Sequence, residues 1–138
     1  MAQITVNPLY LKDTSFLVAA DNYEAALSSV SFTPASSTAT WQGLTPSASF
    51  TFATTATWTC TLEYAQDWGT TNSLSRYLFD NEGKEVVVKF APLKGTTTAP
   101  TFTATVIITP GSVGGAVNSV ATASVTLAVK GKPTLATA

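Results

Sequence analysis

The chain has 138 residues, no histidine and a formal net charge of −1, and only 11% of its residues are charged, against about 25% in an ordinary globular protein. This length fits one domain, for which surface scaling predicts a folded monomer with about 6,800 Å² of accessible surface. The missing histidine excludes Ser-His-Asp and Cys-His catalysis, and the scattered Lys and Arg residues give no electrostatic reason to bind DNA or an anionic membrane tightly.

Apolar residues recur at every second position over much of the chain, which is the period of β-strands with two unlike faces. Strands are predicted in part of 16–19 and in 22–32, 49–53, 57–64, 85–90, 101–109 and 120–129. Within 22–32 the alternation changes phase, which a β-bulge at Ser28 and Ser29 explains. Loops are predicted at 34–46, at 94–100 and, as a hairpin connection with two adjacent glycines, at 111–118.

The longest predicted strands alternate threonine or serine with apolar residues. In 57–64 the apolar positions are Trp58, Cys60, Leu62 and Tyr64. The polar positions between them are Thr57, Thr59, Thr61 and Glu63. A polar face built from hydroxyls suits a surface that another copy covers better than a surface meant for bulk water. The sequence therefore favours an assembly over a reaction.

One segment changes to a helical period. Thr71 or Asn72 is a suitable N-cap for a helix that runs to about Asn81 and stops at Gly83. Its apolar stripe at i, i+3 and i+4 consists of Leu74, Tyr77 and Leu78.

This order of elements predicts a mainly β fold of two packed antiparallel sheets, a sandwich or partly open barrel, with one flanking α-helix. A single domain spans 1–138, with an N-terminal arm at 1–15 and a C-terminal tail at 130–138. Neither a signal peptide nor an apolar run of membrane-spanning length is recognisable. Cys60 lies in the apolar phase of its strand, so we expect a buried, unreactive thiol.

The remaining candidates for chemistry are weak. A glycosidase-like carboxylate pair is conceivable among Asp80, Glu82 and Glu85, but a solvated helix end explains the same charges. Among the tryptophans, Trp58 lies in a core phase and Trp68 anchors the turn before the helix. Only Trp41, in a polar loop, favours an exposed contact, and the alternative is that it folds back onto its own domain. We therefore expect no enzyme activity, no metal site and no cofactor.

The chain resembles the major tail protein, or tail tube protein, of long-tailed, non-contractile bacteriophages of actinobacteria. The residues that carry this resemblance are YEAALSSVSFTP at 23–34, TWQGLTP at 40–46, WTCTLEYAQDWGTTNSLSRYLFDNEGKEVVVKFAP at 58–92 and TFTATVIITPGSVGGAVNSVATASVTLAVKGKPTL at 101–135. The resemblance implies a tail-tube-like subunit of two roughly orthogonal sheets that forms six-membered rings stacked into a hollow tube for genome delivery.

Partners and location follow from the same resemblance. It implies copies of the chain itself, the tape measure protein and tail-end proteins as partners, with DNA only in non-specific transit and no membrane binding. The protein would be made in the host cytoplasm and reside in the tail of the virion.

Contact and lumen residues are assigned on this basis. Segment 36–46 and the arms at 2–10 and 130–138 are predicted to reach a neighbouring subunit or ring through Trp41, Gln42, Leu44, Ile4, Val6 and Lys132. A wall that DNA must pass without sticking should be neutral to acidic, which favours Thr57, Thr59, Thr61 and Glu63 as the lumen set. The basic residues expected to lie away from the lumen are Arg76, Lys84, Lys89 and Lys94.

Two other classes stay open: an extracellular Ig-like or carbohydrate-binding β-sandwich module, and a capsid decoration protein. Both predict a stable monomer or small oligomer. A tube protein predicts polymers of uniform diameter.

Overall fold

The computed structural model describes residues 2–6, 8–11, 13–92 and 100–137. The strands and the helix are β1 (Ser15–Val18), β2 (Asp21–Asn22), β3 (Leu27–Ala35), β4 (Thr38–Gln42), β5 (Ser49–Ala53), β6 (Thr57–Ala65), α1 (Leu74–Asp80), β7 (Glu85–Ala91), β8 (Pro100–Ile107), β9 (Thr122–Val129) and β10 (Thr134–Thr137). The predicted class, mainly β with two antiparallel sheets and one helix, is confirmed.

Within the described part of the chain, the larger sheet has eight antiparallel strands, and β4 and β5 form a separate two-stranded hairpin. The order in the larger sheet is β2-β1-β7-β8-β9-β6-β3, with β10 paired to the first half of β8. β8 and β9 share only the pairs Val106↔Val129 and Ile107↔Ala128, whereas β9 follows β6 over its full length. The sheet therefore turns a corner between β8 and β9 and remains open, without closing into a barrel.

The two halves of the bent sheet enclose one core. Phe32 on β3 and Phe90 on β7 lie in opposite halves, and their ring centroids are 6.3 Å apart. α1 adds Leu74 and Leu78, as its predicted stripe requires, with Tyr77 half-buried beside them. The apolar phases predicted for β6, β8 and β9 supply most of the rest, and burying each leucine or valine side chain among them stabilises the fold by about 1.5–3 kcal/mol. The buried core residues from those strands are Cys60, Leu62, Tyr64, Ala104, Val106, Ala123, Val125 and Leu127.

The helix begins later than predicted. Its N-cap is Ser73, whose Oγ accepts a backbone hydrogen bond from the first turn at 3.4 Å. Thr71 and Asn72 are therefore not the cap, and Asn72 has a φ of 63°, whereas a cap residue needs extended backbone. The predicted end is confirmed, because Asn81 caps the C-terminus and Gly83 follows with a φ of 84°. No helix among the described residues has the length and apolar character that crossing a membrane requires.

The loop predicted at 34–46 was wrong in part. β3 runs to Ala35, and Thr38–Gln42 forms β4. Four of the five residues in β4 are threonine, alanine or glutamine, so the sequence signal for a strand is weak. The segment forms a strand by pairing with β5. The predicted bulge is confirmed by a register shift between Leu27 and Ser29.

The chain also departs from prediction after β8. The segment 111–118 does not make a hairpin, because a hairpin would pair the end of β8 with the start of β9, and only their C-terminal ends pair. The segment predicted as a tail, 130–138, contains β10, which pairs Leu135 with Phe102. The predicted loop at 94–100 lies outside the described residues except for Pro100.

Cys60 is completely buried, as predicted. Burial raises the pKa of its thiol to about 12. Because the thiolate is the reactive form, the native protein should show no thiol chemistry near neutral pH.

The Tyr23 side chain offers a test of this core. Its ring packs against Tyr77 with centroids 6.0 Å apart, and its buried hydroxyl has no hydrogen-bond partner among the described residues. An unsatisfied buried hydroxyl destabilises the folded state, so we expect Tyr23→Phe to raise the free energy of unfolding by about 1 kcal/mol in urea denaturation. Tyr10→Phe, at an exposed ring, is the control and should change nothing. A loss of stability in Tyr23→Phe would contradict this interpretation.

Candidate assembly surfaces

The β4–β5 hairpin exposes a complete apolar face. The antiparallel pairs Trp41↔Phe50 and Ala39↔Phe52 place these four side chains on one face, and serine and threonine occupy most of the other. Trp41, Phe50 and Phe52 are 60%, 52% and 62% exposed, although the Trp41 and Phe50 rings pack with centroids 5.9 Å apart. A lone two-stranded hairpin is marginally stable in water, so this face suits a partner that covers it.

The tip of the hairpin is fixed by its own hydrogen bonds. The Gln42 amide donates to the carbonyls of Gly43 and Thr45 at 3.2 and 3.1 Å, so this predicted contact residue shapes the turn instead of projecting a free amide. The Gly43 N–H donates to the Ala48 carbonyl at 2.6 Å, and a Cβ at Gly43 would lie 2.7 Å from the Ala48 Cβ. Leu44, a predicted contact residue, is fully exposed at the tip.

The half-sheet β3-β6-β9 presents an outward face of hydroxyl groups, here called the hydroxyl face. Its rows follow from the strand register, and its polar members are Ser29, Ser31, Thr33, Thr57, Thr59, Thr61, Glu63, Thr122, Ser124 and Thr126. The four residues predicted to line the lumen therefore share one face. Glu63 is the only charge on it, because the sequence has no charged residue between Glu24 and Glu63 or between Lys94 and Lys130.

The two edges of this half-sheet are open. Among the described residues, β3 pairs with β6 alone, and β9 pairs with β8 only through its last two residues. Residues 122–127 of β9 consequently face no other strand on that side among the described residues. An open edge of this length is a template for pairing with another chain.

The basic residues lie elsewhere. Arg76 is on α1, Lys84 follows it, and Lys89 is on β7 in the other half of the sheet, so none of the three lies on the hydroxyl face. Lys94 lies outside the described residues. The Lys130 ammonium is 3.5 Å from the Glu85 carboxylate, but both side chains are more than half exposed, so this ion pair adds little stability.

The carboxylates considered for catalysis are all exposed, and one of them, Glu85, pairs with Lys130. The three tryptophans lie in separate places, on the hairpin, on β6 and before α1, and so form no common platform.

The N-terminal segment is apolar and exposed. Ile4 and Val6, two predicted contact residues, are 80% and 76% exposed, and no strand or helix forms in 2–6 or 8–11. Leu9, Tyr10 and Leu11 extend the same apolar surface. The segment therefore has the properties expected of an arm that binds elsewhere.

A groove of about 380 Å³ opens between the two halves of the sheet, and we call it the aromatic groove. It is lined by Phe32, Trp58, Phe90, Phe102, Lys132, Pro133 and Leu135. Trp58, predicted to lie in the core, is only half-buried and forms part of this wall. Lys132, a predicted contact residue, brings the only charge to the groove. No local pattern predicts Pro133 and Leu135 at this groove, because their position depends on the pairing of β10 with β8.

Gln66, directly after β6, holds a distant loop in place. Its amide nitrogen donates to the carbonyls of Gly114 and Thr122 at 2.8 and 2.9 Å, and its amide oxygen accepts from the Gly114 N–H at 3.0 Å and the Trp68 indole N–H at 3.1 Å. These contacts use the full hydrogen-bonding capacity of a glutamine side chain. Gly114 has a φ of 105°, a conformation that favours glycine.

The loop that Gln66 holds, residues 111–120, is here called the valine loop. It carries three exposed apolar side chains, Val113, Val117 and Val120, at 65%, 88% and 79% exposure. Gly111 packs so tightly on the Tyr64 hydroxyl that a Cβ would lie 2.1 Å from its oxygen. The loop is thus attached at two points while its valines remain in solvent.

The turn before α1 braces this arrangement. Trp68 packs edge-on against Phe79 with centroids 5.9 Å apart, which agrees with its predicted anchoring role. The Asp67 carboxylate accepts hydrogen bonds from the Gly69 and Thr70 N–H groups, both at 3.1 Å. Hydrogen bonds from the Thr70 side chain and backbone lower the pKa of Asp67, so the carboxylate stays charged at neutral pH.

We expect Gln66→Ala to loosen the valine loop. Loss of the contacts at Gly114 should raise the hydrogen-exchange rate of the Gly114 amide by about tenfold, the equivalent of one hydrogen bond of about 1.4 kcal/mol. Native-state exchange followed by NMR measures this rate. Gln42→Ala, at the other structured glutamine, should leave Gly114 unchanged, and equal exchange in all three proteins would contradict the role assigned to Gln66.

Comparison with known proteins places the fold. No protein-family model matches the chain, and neither does any curated protein. A chain from "Cryo-EM structure of the anti-feeding prophage (AFP) baseplate, 6-fold symmetrised" matches with a TM-score of 0.53 at 17% identity, covering 99% of this chain and 97% of that one. The protein therefore shares, over nearly its whole length, the fold of a chain from that baseplate structure.

Proposed function

We propose that this chain is a structural subunit of a bacteriophage-type tail, which assembles with copies of itself into stacked rings that form the tail tube. The observation that carries the proposal is the half-sheet β3-β6-β9, whose hydroxyl face bears a single charge and whose two edges are open. Pairing those edges between subunits in a ring would remove both of them. Such a ring would turn one continuous hydroxyl wall inward.

The exposed surface of the chain supports assembly. The chain has 9436 Å² of accessible surface. A compact monomer of this mass is expected to have about 6,800 Å². The apolar faces of the hairpin and of the N-terminal segment are part of that surface and suit burial against neighbouring copies.

Symmetry and the similar chain support the proposed ring number and stacking. That chain belongs to a sixfold-symmetrised baseplate structure, which supports six-membered rings for this protein. Contacts between unlike ends of successive rings do not close, so they build a filament. The hairpin and the arms at 2–10 and 130–138 would make contacts between subunits or rings.

The hydroxyl face suits a wall past which DNA moves. Tight binding to DNA needs clustered Lys and Arg that neutralise phosphates, and this face has none. The subunit would act without catalysis and without a cofactor, in the tail of the virion after synthesis in the host cytoplasm. Its partners would be its own copies, a tape measure protein and tail-end proteins.

Negative-stain microscopy of the purified protein tests the proposal. We expect tubes of uniform diameter, and we expect Trp41→Ala to reduce tube yield without loss of the folded monomer. Truncating a tryptophan at the centre of an interface weakens binding by about 2 kcal/mol or more, so the concentration needed for assembly should rise about 30-fold.

Val87→Ala is the control, because Val87 is 45% exposed but lies on β7, outside the hairpin and the valine loop. Its tubes should form as in the wild type. A protein that stays monomeric at high concentration would contradict the proposal and favour an extracellular binding module or a capsid decoration protein. Wild-type tube yield from Trp41→Ala would contradict the hairpin contact alone.

Cysteine labelling tests which face lines the lumen. In assembled tubes of Thr61→Cys, a small maleimide should label the new thiol, whereas a bulky polymer-linked maleimide should be excluded from the bore. Native Cys60 is buried and does not compete for label. Val87→Cys, on β7 in the other half of the sheet, should accept both reagents. Thr61→Cys that reacts with both reagents, or with neither, would place this face on the outer wall or in a subunit contact.

A further inference from the structure

We infer that the valine loop of one copy docks in the aromatic groove of the next, and that this contact joins successive rings. The inference rests on the proposed function, because it assumes that copies stack. It assigns the occupant of the groove, a second copy of this chain, and the part of that copy that enters it.

The two surfaces lie at opposite ends of one strand. Trp58, the second residue of β6, lines the aromatic groove, and Gln66, directly after β6, holds the valine loop. At about 3.3 Å per residue these positions are roughly 26 Å apart. A contact between opposite ends of the same element is heterologous, and a heterologous contact whose rotation does not close repeats as a filament, as stacking requires.

The chemistry of the two surfaces matches. The valine loop has no charged residue and presents Val113 and Val117 to solvent, while the groove has four aromatic walls. Its volume of about 380 Å³ equals roughly a dozen waters at about 30 Å³ each, which is room for a pair of valine side chains. Lys132 at the groove disfavours a cationic occupant and does not oppose an uncharged one.

The valine loop is also prepared for binding. The hydrogen bonds of Gln66 to Gly114 and Thr122 order the loop before any partner arrives. Docking therefore loses less conformational entropy than docking of a free segment would.

The hairpin is a poorer occupant of the groove. It leaves the sheet after β3 and returns at β6, where Pro34 pairs with the groove residue Trp58. A hairpin inserted into the groove of another copy would join like ends of the two molecules. When each hairpin enters the groove of the other copy, the contact is isologous and closes as a pair, so it does not repeat along a tube.

Disulfide trapping between two single-cysteine variants tests the inference. Val113→Cys and Leu135→Cys both alter exposed side chains, and buried Cys60 should stay reduced. Mixed in equal amounts at assembling concentration under mild oxidation, they should form a heterodimer at least tenfold more than a mixture of Val87→Cys with Leu135→Cys. Mass spectrometry of the bands from a non-reducing gel identifies the linked pair.

The outcomes separate this inference from the proposed function. Tubes without excess of the Val113–Leu135 link would overturn the docking contact and leave tube assembly intact. The link in small oligomers without tubes would support the docking contact and contradict the tube. A protein that forms neither tubes nor the link would overturn both.

Discussion

An outer sheet face that is polar but almost uncharged constrains this molecule more than any other feature. The half-sheet β3-β6-β9 hides its apolar phase in the core and turns out hydroxyls, with Glu63 as their only charge. Soluble proteins usually protect open strands with charge, proline or a covering element. Among the described residues, the β9 edge at 122–127 has none of these and the β3 edge has only Pro34 and the bulge after Leu27, so in the proposed ring neighbouring copies supply the protection. The proposal of a ring is a consequence of that requirement, and the exposed hairpin and N-terminal segment add to it.

The corner between β8 and β9 makes this surface possible. Because only two residue pairs join those strands, the sheet can bend so that the apolar sides of its two halves face each other. Phe32 in one half then packs against Phe90 in the other. The strands then serve two purposes at once. Their inward phase completes a core inside a single chain, and their outward phase remains available to neighbours. A closed barrel of the same strands would have left no edge for a neighbour to pair with.

The features that sequence patterns predicted correctly are those that depend on residues close together in the chain. The inward phase of β6 at Cys60 and Leu62, the bulge after Leu27 and the helix stripe at Leu74 each depend on residues a few positions apart. The predicted lumen set shares one face for the same reason, because alternation fixes which side each residue takes. Whether that face lines a lumen depends on how copies of the chain assemble, and a pattern within one chain carries no information about that assembly.

Features that depend on contacts between distant residues were not predicted from the sequence. β4 consists mostly of small residues and becomes a strand through β5, while β10 follows a Gly-Lys-Pro sequence that looks like an end. Gln66 is the clearest case, since its partner Gly114 lies 48 residues away and no local pattern at either position indicates their contact. The same residue connects fold to assembly. The Gln66 side-chain amide makes all its hydrogen bonds within its own chain, so it has none left for a partner. Its contribution to binding is the rigidity of the valine loop, and the valines themselves make the contact with the partner.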